Sequence, residues 1–250
     1  MTNNSGENPI LKLGSCEAGP VLYFFGARHT NNPDDIQFVQ LKNFWDEFLN
    51  ISSKNNAVFV EGVIHEVSKN YIDAIKLYGE TGAIQWLAKE SNIQVLRPEP
   101  NDVEQRKYLC SLFDPKVVAY SLIIQNLGAW FRHSRNNGFK NAIENSVDRE
   151  VKYKDIYEFI PNNAWFFNQH KEIFGEQNLE DKNFLDSVSD PRKGISIVNR
   201  VISSRTKMRN EYILVAISEA LKLKKNIFIV YGSGHIPVLE NSLRELFDSK

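Results

Sequence analysis

The sequence predicts an α/β fold: a central, mainly parallel sheet of about four or more strands flanked by helices, with a helical insertion before the last strand. Four short apolar runs support this, and three of them are nearly continuous, which is typical of parallel strands covered on both faces. Helical patterns separate the first three runs, in the βαβαβ order of a right-handed parallel sheet. A long stretch without strand-like runs precedes the fourth.

The elements up to the third strand follow from local signals. The first helix is predicted to begin at Asn32-Pro33, because proline suits a first helical turn and two aspartates follow at the positive end of the helix dipole. An apolar stripe along it is predicted at Ile36, Val39, Phe44 and Phe48. A second helix is predicted over 81–91. The four strands are predicted over 21–25, 57–60, 93–96 and 227–231.

The middle of the chain is predicted to be helical. A helix is expected from Asp114-Pro115 to about 132, and the polar stretch 175–194 is expected to be a loop. One long helix over 195–223 then leads to the last strand. We therefore predict a single α/β domain over 1–250 with a helical insertion at about 114–224. Further helices are predicted over 141–160, 162–174 and 237–247.

Composition excludes several classes of protein. Hydrophobic residues make up 42% and charged residues 24%, as in globular domains. Thirty basic residues against thirty-one acidic ones leave no basic excess, so no nucleic-acid partner is expected. Cys16 and Cys110 cannot build a disulfide framework. The start of the chain lacks a secretory pattern and no apolar stretch is long enough to span a membrane, so we expect a cytoplasmic protein without a membrane span.

Four polar residues that could carry chemistry follow the four strands. They are His29, Glu61, Glu99 and His235. In open α/β sheets, ligands bind outside the carboxyl ends of the strands, so we expect these side chains to line one cleft. Two imidazoles and two carboxylates form either a divalent-metal shell, for Mn, Co or Zn, or a general acid/base set. No nucleotide cofactor is expected, because the chain has neither a P-loop nor a dinucleotide fingerprint.

A Gly-x-x-His pattern recurs at the strand ends. It occurs at Gly26/His29, Gly62/His65 and Gly232/His235, whereas 13 glycines and 5 histidines in 250 residues give about a quarter of one such pair by chance. A glycine there permits positive φ and a close backbone approach to a ligand. Taken singly, each histidine or glutamate is a common turn or capping residue. The coincidence on four strands is what indicates a functional cleft.

The long helix adds one further candidate. Its basic residues are typical of a solvated face. Arg209, however, lies on the helix that immediately precedes the strand delivering His235. An arginine in that place could bind a substrate carboxylate or stabilise a developing oxyanion.

These residues resemble the pattern of the TraB/PrgY family and its Tiki and erythromycin-esterase relatives. The resemblance spans about 20–245 and implies an α/β fold. Tiki-like members imply a metal-dependent peptidase, whereas erythromycin-esterase-like members imply water activation by histidine and glutamate without a metal. The pattern departs at Ala27-Arg28, where a small pair is expected before the first histidine. The matched residues are Gly26, His29, Glu61, Glu99, Arg209, Gly232 and His235.

Two hypotheses follow. The first is a hydrolase that activates water with His29, Glu61, Glu99 and His235, with or without a divalent metal, and acts on a peptide or ester-type small substrate held by Arg209. The second is a non-catalytic protein that binds a small ligand or peptide in the same cleft. Turnover that is lost on mutation of His29 would distinguish the first from the second.

Overall fold

The computed structural model describes residues 8–15, 17, 19–52, 55–133 and 138–248, with residues 132 and 133 by backbone alone. The chain divides into two compact units. A sheet unit comprises Met1–Glu99 and Asn210–Lys250, and a helical unit comprises Pro100–Arg209. Of the described helices, none is long and apolar enough to cross a membrane.

The sheet unit confirms the predicted fold class. Five strands have the order β1-β2-β5-β3-β4, and every neighbouring pair is parallel except β1 with β2. Because the last strand lies between β2 and β3, the carboxyl ends of these three strands are neighbours. The strands are β1 (Ile10–Leu13), β2 (Leu22–Ala27), β3 (Asn56–Val60), β4 (Gln94–Leu96) and β5 (Asn226–Gly232).

Helices cover both faces of this sheet. The helices of the chain are α1 (Gln37–Ile51), α2 (Tyr71–Glu90), α3 (Asp102–Leu112), α4 (Pro115–His133), α5 (Phe139–Val151), α6 (Lys154–Tyr157), α7 (Asn163–Phe174), α8 (Lys182–Val188), α9 (Ile197–Lys222) and α10 (Ile236–Asp248). Apolar residues of α1 and α2 pack on one face of the sheet, and those of α10 and the second half of α9 pack on the other. The continuous apolar strands therefore lie in the middle of three layers.

Three elements of the sheet unit differ from the predictions, and one of them is α2, which begins at Tyr71 and not at residue 81. The antiparallel strand β1 was not predicted, because four residues with alternating burial give too short a signal. The first helix starts at Gln37 and not at Asn32, since Asn32 forms a turn in which its side chain accepts from the amide of Asp34. The later start leaves Ile36 and Val39 of the predicted stripe exposed.

Gln37, at the start of α1, is a buried polar residue whose side-chain amide is hydrogen-bonded at both its oxygen and its nitrogen. Its side-chain oxygen accepts from the backbone amide of Arg28 at 2.9 Å, and its side-chain nitrogen donates to the carbonyl of Arg28 at 2.8 Å. These two bonds fix the segment between β2 and α1, which carries His29. Hydrogen bonding of both amide atoms removes the penalty of burying the side chain.

The helical unit contains α3 to α8 and the first part of α9, and it precedes the last strand as predicted. Its bounds, Pro100–Arg209, begin and end earlier than the predicted 114–224. Helix α3 was missed although Asn101 and Glu104 form a capping box at its start. Helix α8 lies inside the predicted loop 175–194, and Asp181 caps it. The predicted helix 141–160 is two helices, α5 and α6.

A buried charge network lies in the helical unit. The guanidinium of Arg106 donates to both carboxylate oxygens of Glu150, at 2.9 and 2.7 Å. The hydroxyl of Tyr157 donates to the same carboxylate, and the Arg106 guanidinium lies 3.6 Å from the centre of the Tyr153 ring. Both carboxylate oxygens of Glu150 are thereby hydrogen-bonded, which offsets part of the cost of burying the ion pair.

Candidate active site

Three of the four predicted residues come together at the carboxyl edge of the sheet. His29 follows β2, Glu61 follows β3 and His235 follows β5. The strand order places β5 between the other two, so Glu61 and His29 approach the end of β5 from opposite sides. They meet around Gly232, the last residue of β5.

Glu61 is the centre of the cluster. One of its carboxylate oxygens, Oε2, accepts from the backbone amide of Gly232 at 2.8 Å. The other, Oε1, lies 3.5 Å from Nε2 of His235. A Cβ atom at Gly232 would lie 3.2 Å from Glu61 Oε2 and 3.1 Å from His29 Nε2. Nε2 of His29 and Oε2 of Glu61 therefore both lie beside Gly232, and Nε2 of His235 lies beside the other oxygen of Glu61.

His29 is oriented by a residue that the sequence analysis missed. Its Nδ1 donates to Oε1 of Glu80 at 2.5 Å, and Glu80 is only 8% exposed. A carboxylate accepts but does not donate, so Nδ1 carries a proton, and in the neutral ring Nε2 is the acceptor. The buried carboxylate of Glu80 thus orients the ring of His29.

Glu80 reaches His29 because α2 is kinked at Gly79. Gly79 has φ 58° and ψ −138°, values outside the helical region that glycine adopts without a Cβ penalty. A Cβ there would lie 2.8 Å from the carbonyl oxygen of Thr30. Only glycine allows α2 this close to the loop that carries His29. The Gly-Glu pair within an otherwise helical pattern was the one local signal of this contact.

Other side chains of α2 hold the second strand end. Thr81 donates through its hydroxyl to the carbonyl of Glu61 at 3.2 Å. The side chain of Gln85 accepts from the amide of His65 at 2.9 Å and donates to the carbonyl of Val63 at 3.2 Å. The segment after β3 is therefore attached to α2 at several points, which fixes the backbone of Glu61.

His235 is oriented in the same way as His29, by a different group. Its Nδ1 donates to Oδ1 of Asn210 at 3.1 Å, and Asn210 is buried on α9. The other ring nitrogen, Nε2, lies 3.5 Å from the Glu61 carboxylate, where a proton on Nε2 or a cation shared by the two groups would satisfy both. The edge of the imidazole also packs against the ring of Tyr231, with the centroids 5.3 Å apart. Asn210 was not predicted, since nothing in its local sequence distinguishes it.

Two of the three glycines of the repeated pattern lack the predicted positive φ. Gly232 has φ −51°, which any residue adopts, so its lack of a side chain matters for space and not for conformation. Gly26 has an ordinary φ as well, and a Cβ there would lie 2.7 Å from Pro9. Of the three, only Gly62 has the positive φ that was predicted, at 81°.

Glu99 lies one strand further out, after the edge strand β4. Its carboxylate is 3.5 Å from Nε of Arg97, and its side chain is only 3% exposed. Both residues line a cavity of about 380 Å³ whose other wall is the second half of α9. The structure thus places Glu99 beside the cavity, and its membership of the predicted metal shell stays a prediction.

Arg209 lies on α9 as the last residue of the helical unit, so its predicted role towards a substrate stays a prediction. His65 is stacked on Tyr78, with the ring centroids 3.9 Å apart. His170 is buried in the helical unit between the hydroxyl of Tyr120 and the carbonyl of Gln177. Cys16 and the side chain of His133 lie outside the described residues.

The donor atoms meet part of the requirement for a metal. Two ligands of a tetrahedral ion are about 3.4 Å apart, given bond lengths of about 2.1 Å. The 3.5 Å between His235 Nε2 and Glu61 Oε1 fits one such edge. As the side chains stand, no group of three or more His, Cys, Asp or Glu residues in the described part of the chain is placed to hold a metal ion. The four-residue metal shell stays a prediction.

Comparisons with known proteins gave no match, so any assignment of function rests on the residues of the site. No protein-family model matches the chain. Neither a curated protein nor a solved structure matches it at a significant level. The resemblance to the TraB/PrgY family stays a prediction.

Proposed function

We propose that the protein is a hydrolase that activates a water molecule at the cluster of His29, Glu61 and His235. The observation that carries the proposal is the paired orientation of the two imidazoles. Each donates its Nδ1 proton to a buried acceptor, Glu80 or Asn210. Nε2 of His235 lies 3.5 Å from Glu61 Oε1, and Nε2 of His29 lies beside Gly232, whose amide binds Glu61 Oε2. Two oriented imidazoles near one carboxylate suit proton transfer.

The proposed reaction is the hydrolysis of an ester or peptide bond. The water oxygen attacks the carbonyl carbon while its proton passes to Nε2 of one imidazole. The carbon–oxygen or carbon–nitrogen bond then breaks, and the imidazolium returns the proton to the leaving alcohol or amine. The negative charge of Glu80 or Glu61 stabilises the imidazolium formed in between. The products are a carboxylic acid and an alcohol or amine.

The proposal has a second route, in which the cluster would bind a divalent ion, Mn²⁺, Co²⁺ or Zn²⁺. His29, Glu61 and His235 would hold it, with Glu99 as the fourth ligand predicted from the sequence. When bound, such an ion lowers the pKa of a coordinated water and polarises the substrate carbonyl. The Nδ1 partners of the two histidines are the outer-shell groups that metal-binding imidazoles require.

Turnover tests this proposal. The purified chain is assayed against p-nitrophenyl esters and a peptide mixture, each with and without added Mn²⁺, Co²⁺ or Zn²⁺ and after chelation. We expect His29→Asn, His235→Asn and Glu61→Gln each to lower the rate by about 10²–10⁴-fold, the range for a lost general base. Glu66→Gln is the matched control, because Glu66 is exposed and lies only five residues from Glu61.

The outcomes separate the two hypotheses from the sequence. Activity that survives exhaustive chelation supports the imidazole as the base, and activity restored only by a metal supports the metal route. If no substrate is turned over under any of these conditions, the hydrolase proposal is wrong and a non-catalytic ligand-binding protein is supported. A cytoplasmic location and Arg209 as the substrate-binding residue belong to the same proposal.

A further inference from the structure

The cavity beside Glu99 has the size and walls of a ligand pocket. Its volume of about 380 Å³ falls in the range of small-molecule sites. Tyr212, Val215 and Ala216 of α9 form one wall, and Pro98 belongs to the opposite one. Tyr212 and Val215 are exposed, so apolar surface of the helix is open to solvent there. A ligand with an apolar body would cover this surface.

The cavity is adjacent to the proposed active site. Strands β3 and β4 pair in parallel with Phe59 opposite Leu96, so Glu61 and the segment 97–99 leave the sheet side by side. A substrate whose reacting bond lies at Glu61 can therefore extend into the cavity.

The charges of the cavity favour a cation. The Arg97 guanidinium and the buried Glu99 carboxylate lie 3.5 Å apart and compensate each other. Glu219 lines the cavity and is exposed, and within the described chain no hydrogen bond or ion pair engages its carboxylate. An anionic group would meet Glu219 without a compensating charge.

We propose that this cavity binds the part of the substrate that carries an apolar body with a primary ammonium group. The apolar body packs on Tyr212, Val215 and Ala216, and the ammonium lies at Glu219. As a substrate subsite this proposal rests on the proposed hydrolase function. As a ligand site it stands on the cavity alone.

Binding is tested with benzylamine by isothermal titration calorimetry at neutral pH, where the amine is protonated. Benzyl alcohol and benzoate have the same ring with a neutral or a negative group. We expect benzylamine to bind in the millimolar range, more tightly than benzyl alcohol, and benzoate not to bind. Glu219→Gln should weaken benzylamine about fivefold and leave benzyl alcohol unchanged, since a solvent-exposed ion pair contributes up to about 1 kcal/mol.

Two further variants show whether binding occurs in the cavity. Val215→Phe adds bulk to the cavity wall and should weaken both benzylamine and benzyl alcohol. Val238→Phe and Glu245→Gln are the matched controls on α10, because both positions are exposed and neither lines the cavity. Absence of saturable benzylamine binding, equal binding of benzoate, or no effect of Glu219→Gln would overturn the proposal.

The test keeps the two proposals apart because benzylamine binding needs no turnover. If benzylamine binds as expected and no substrate is hydrolysed, the cavity is a ligand site and the hydrolase proposal fails. If turnover is found, benzylamine should raise the apparent KM in the wild-type protein and do so less in Glu219→Gln. Turnover that is insensitive to bound benzylamine would overturn the role of the cavity as a substrate subsite.

Discussion

Replacing Gly232 by alanine is the sharpest probe of the candidate site. The backbone at this position, with φ −51° and ψ 140°, accommodates alanine without strain. The new methyl group would lie 3.1 Å from His29 Nε2 and 3.2 Å from Glu61 Oε2, a few tenths of an ångström inside ordinary contact. Since half of the His29 side chain is exposed and can yield, we expect the free energy of unfolding to change by no more than about 1 kcal/mol.

The effect on the site should be much larger than the effect on stability. A water molecule that serves either base must approach to about 2.8 Å, and the methyl group occupies the space between His29 and Glu61. We expect the turnover proposed above to fall by at least about 100-fold. Urea unfolding followed by circular dichroism measures the stability, and ester or peptide hydrolysis measures the rate.

Gly234→Ala is the matched control for this variant. Gly234 lies two residues further along the chain, and a Cβ there would meet nothing within 4 Å. We expect this variant to keep both stability and activity. The reasoning fails if Gly232→Ala hydrolyses its substrate at the wild-type rate, or if it unfolds so readily that stability alone accounts for the loss.

Three further predictions concern single groups. Glu80→Gln keeps the shape of the side chain but removes the carboxylate that orients His29. We therefore expect kcat to fall about 10–100-fold with KM nearly unchanged. An unchanged kcat would contradict this role of Glu80. Glu150→Leu removes the buried carboxylate that pairs with Arg106 and leaves only the exposed Asp102 carboxylate at 3.8 Å, so it should cost about 3–5 kcal/mol in urea unfolding. Adding Arg106→Met should restore most of that loss; a double variant no more stable than the single one would refute it. Burial raises the pKa of the Cys110 thiol to about 11. Alkylation of this thiol by iodoacetamide at pH 8, measured by mass spectrometry, should therefore be on the order of 100-fold slower than that of a free thiol, and it should accelerate as the pH rises towards 11. Fast labelling of the folded protein at pH 8 would contradict this prediction.

The sequence by itself determined the fold class and the positions of the strand-end residues. Continuous apolar runs such as 227–231 are uncommon outside strands buried on both faces, so periodicity alone identified the parallel sheet. The long helix α9 was equally plain, because its apolar positions repeat over many turns. Shorter elements such as β1 and α8 were not predicted, because four to seven residues are too few to show a clear hydrophobic periodicity.

Only the tertiary structure decided which residues meet. The insertion of β5 between β2 and β3 brings His29, Glu61 and His235 to one point, and no local pattern fixes that strand order. Glu80 and Asn210 hold the two imidazoles from helices 51 and 25 residues away along the chain. Their roles arise from close approaches, such as that of Gly79 to Thr30, which depend on packing between distant segments. Sequence periodicity reports which face of an element is buried, whereas the partner of a buried polar group is set by the assembled fold.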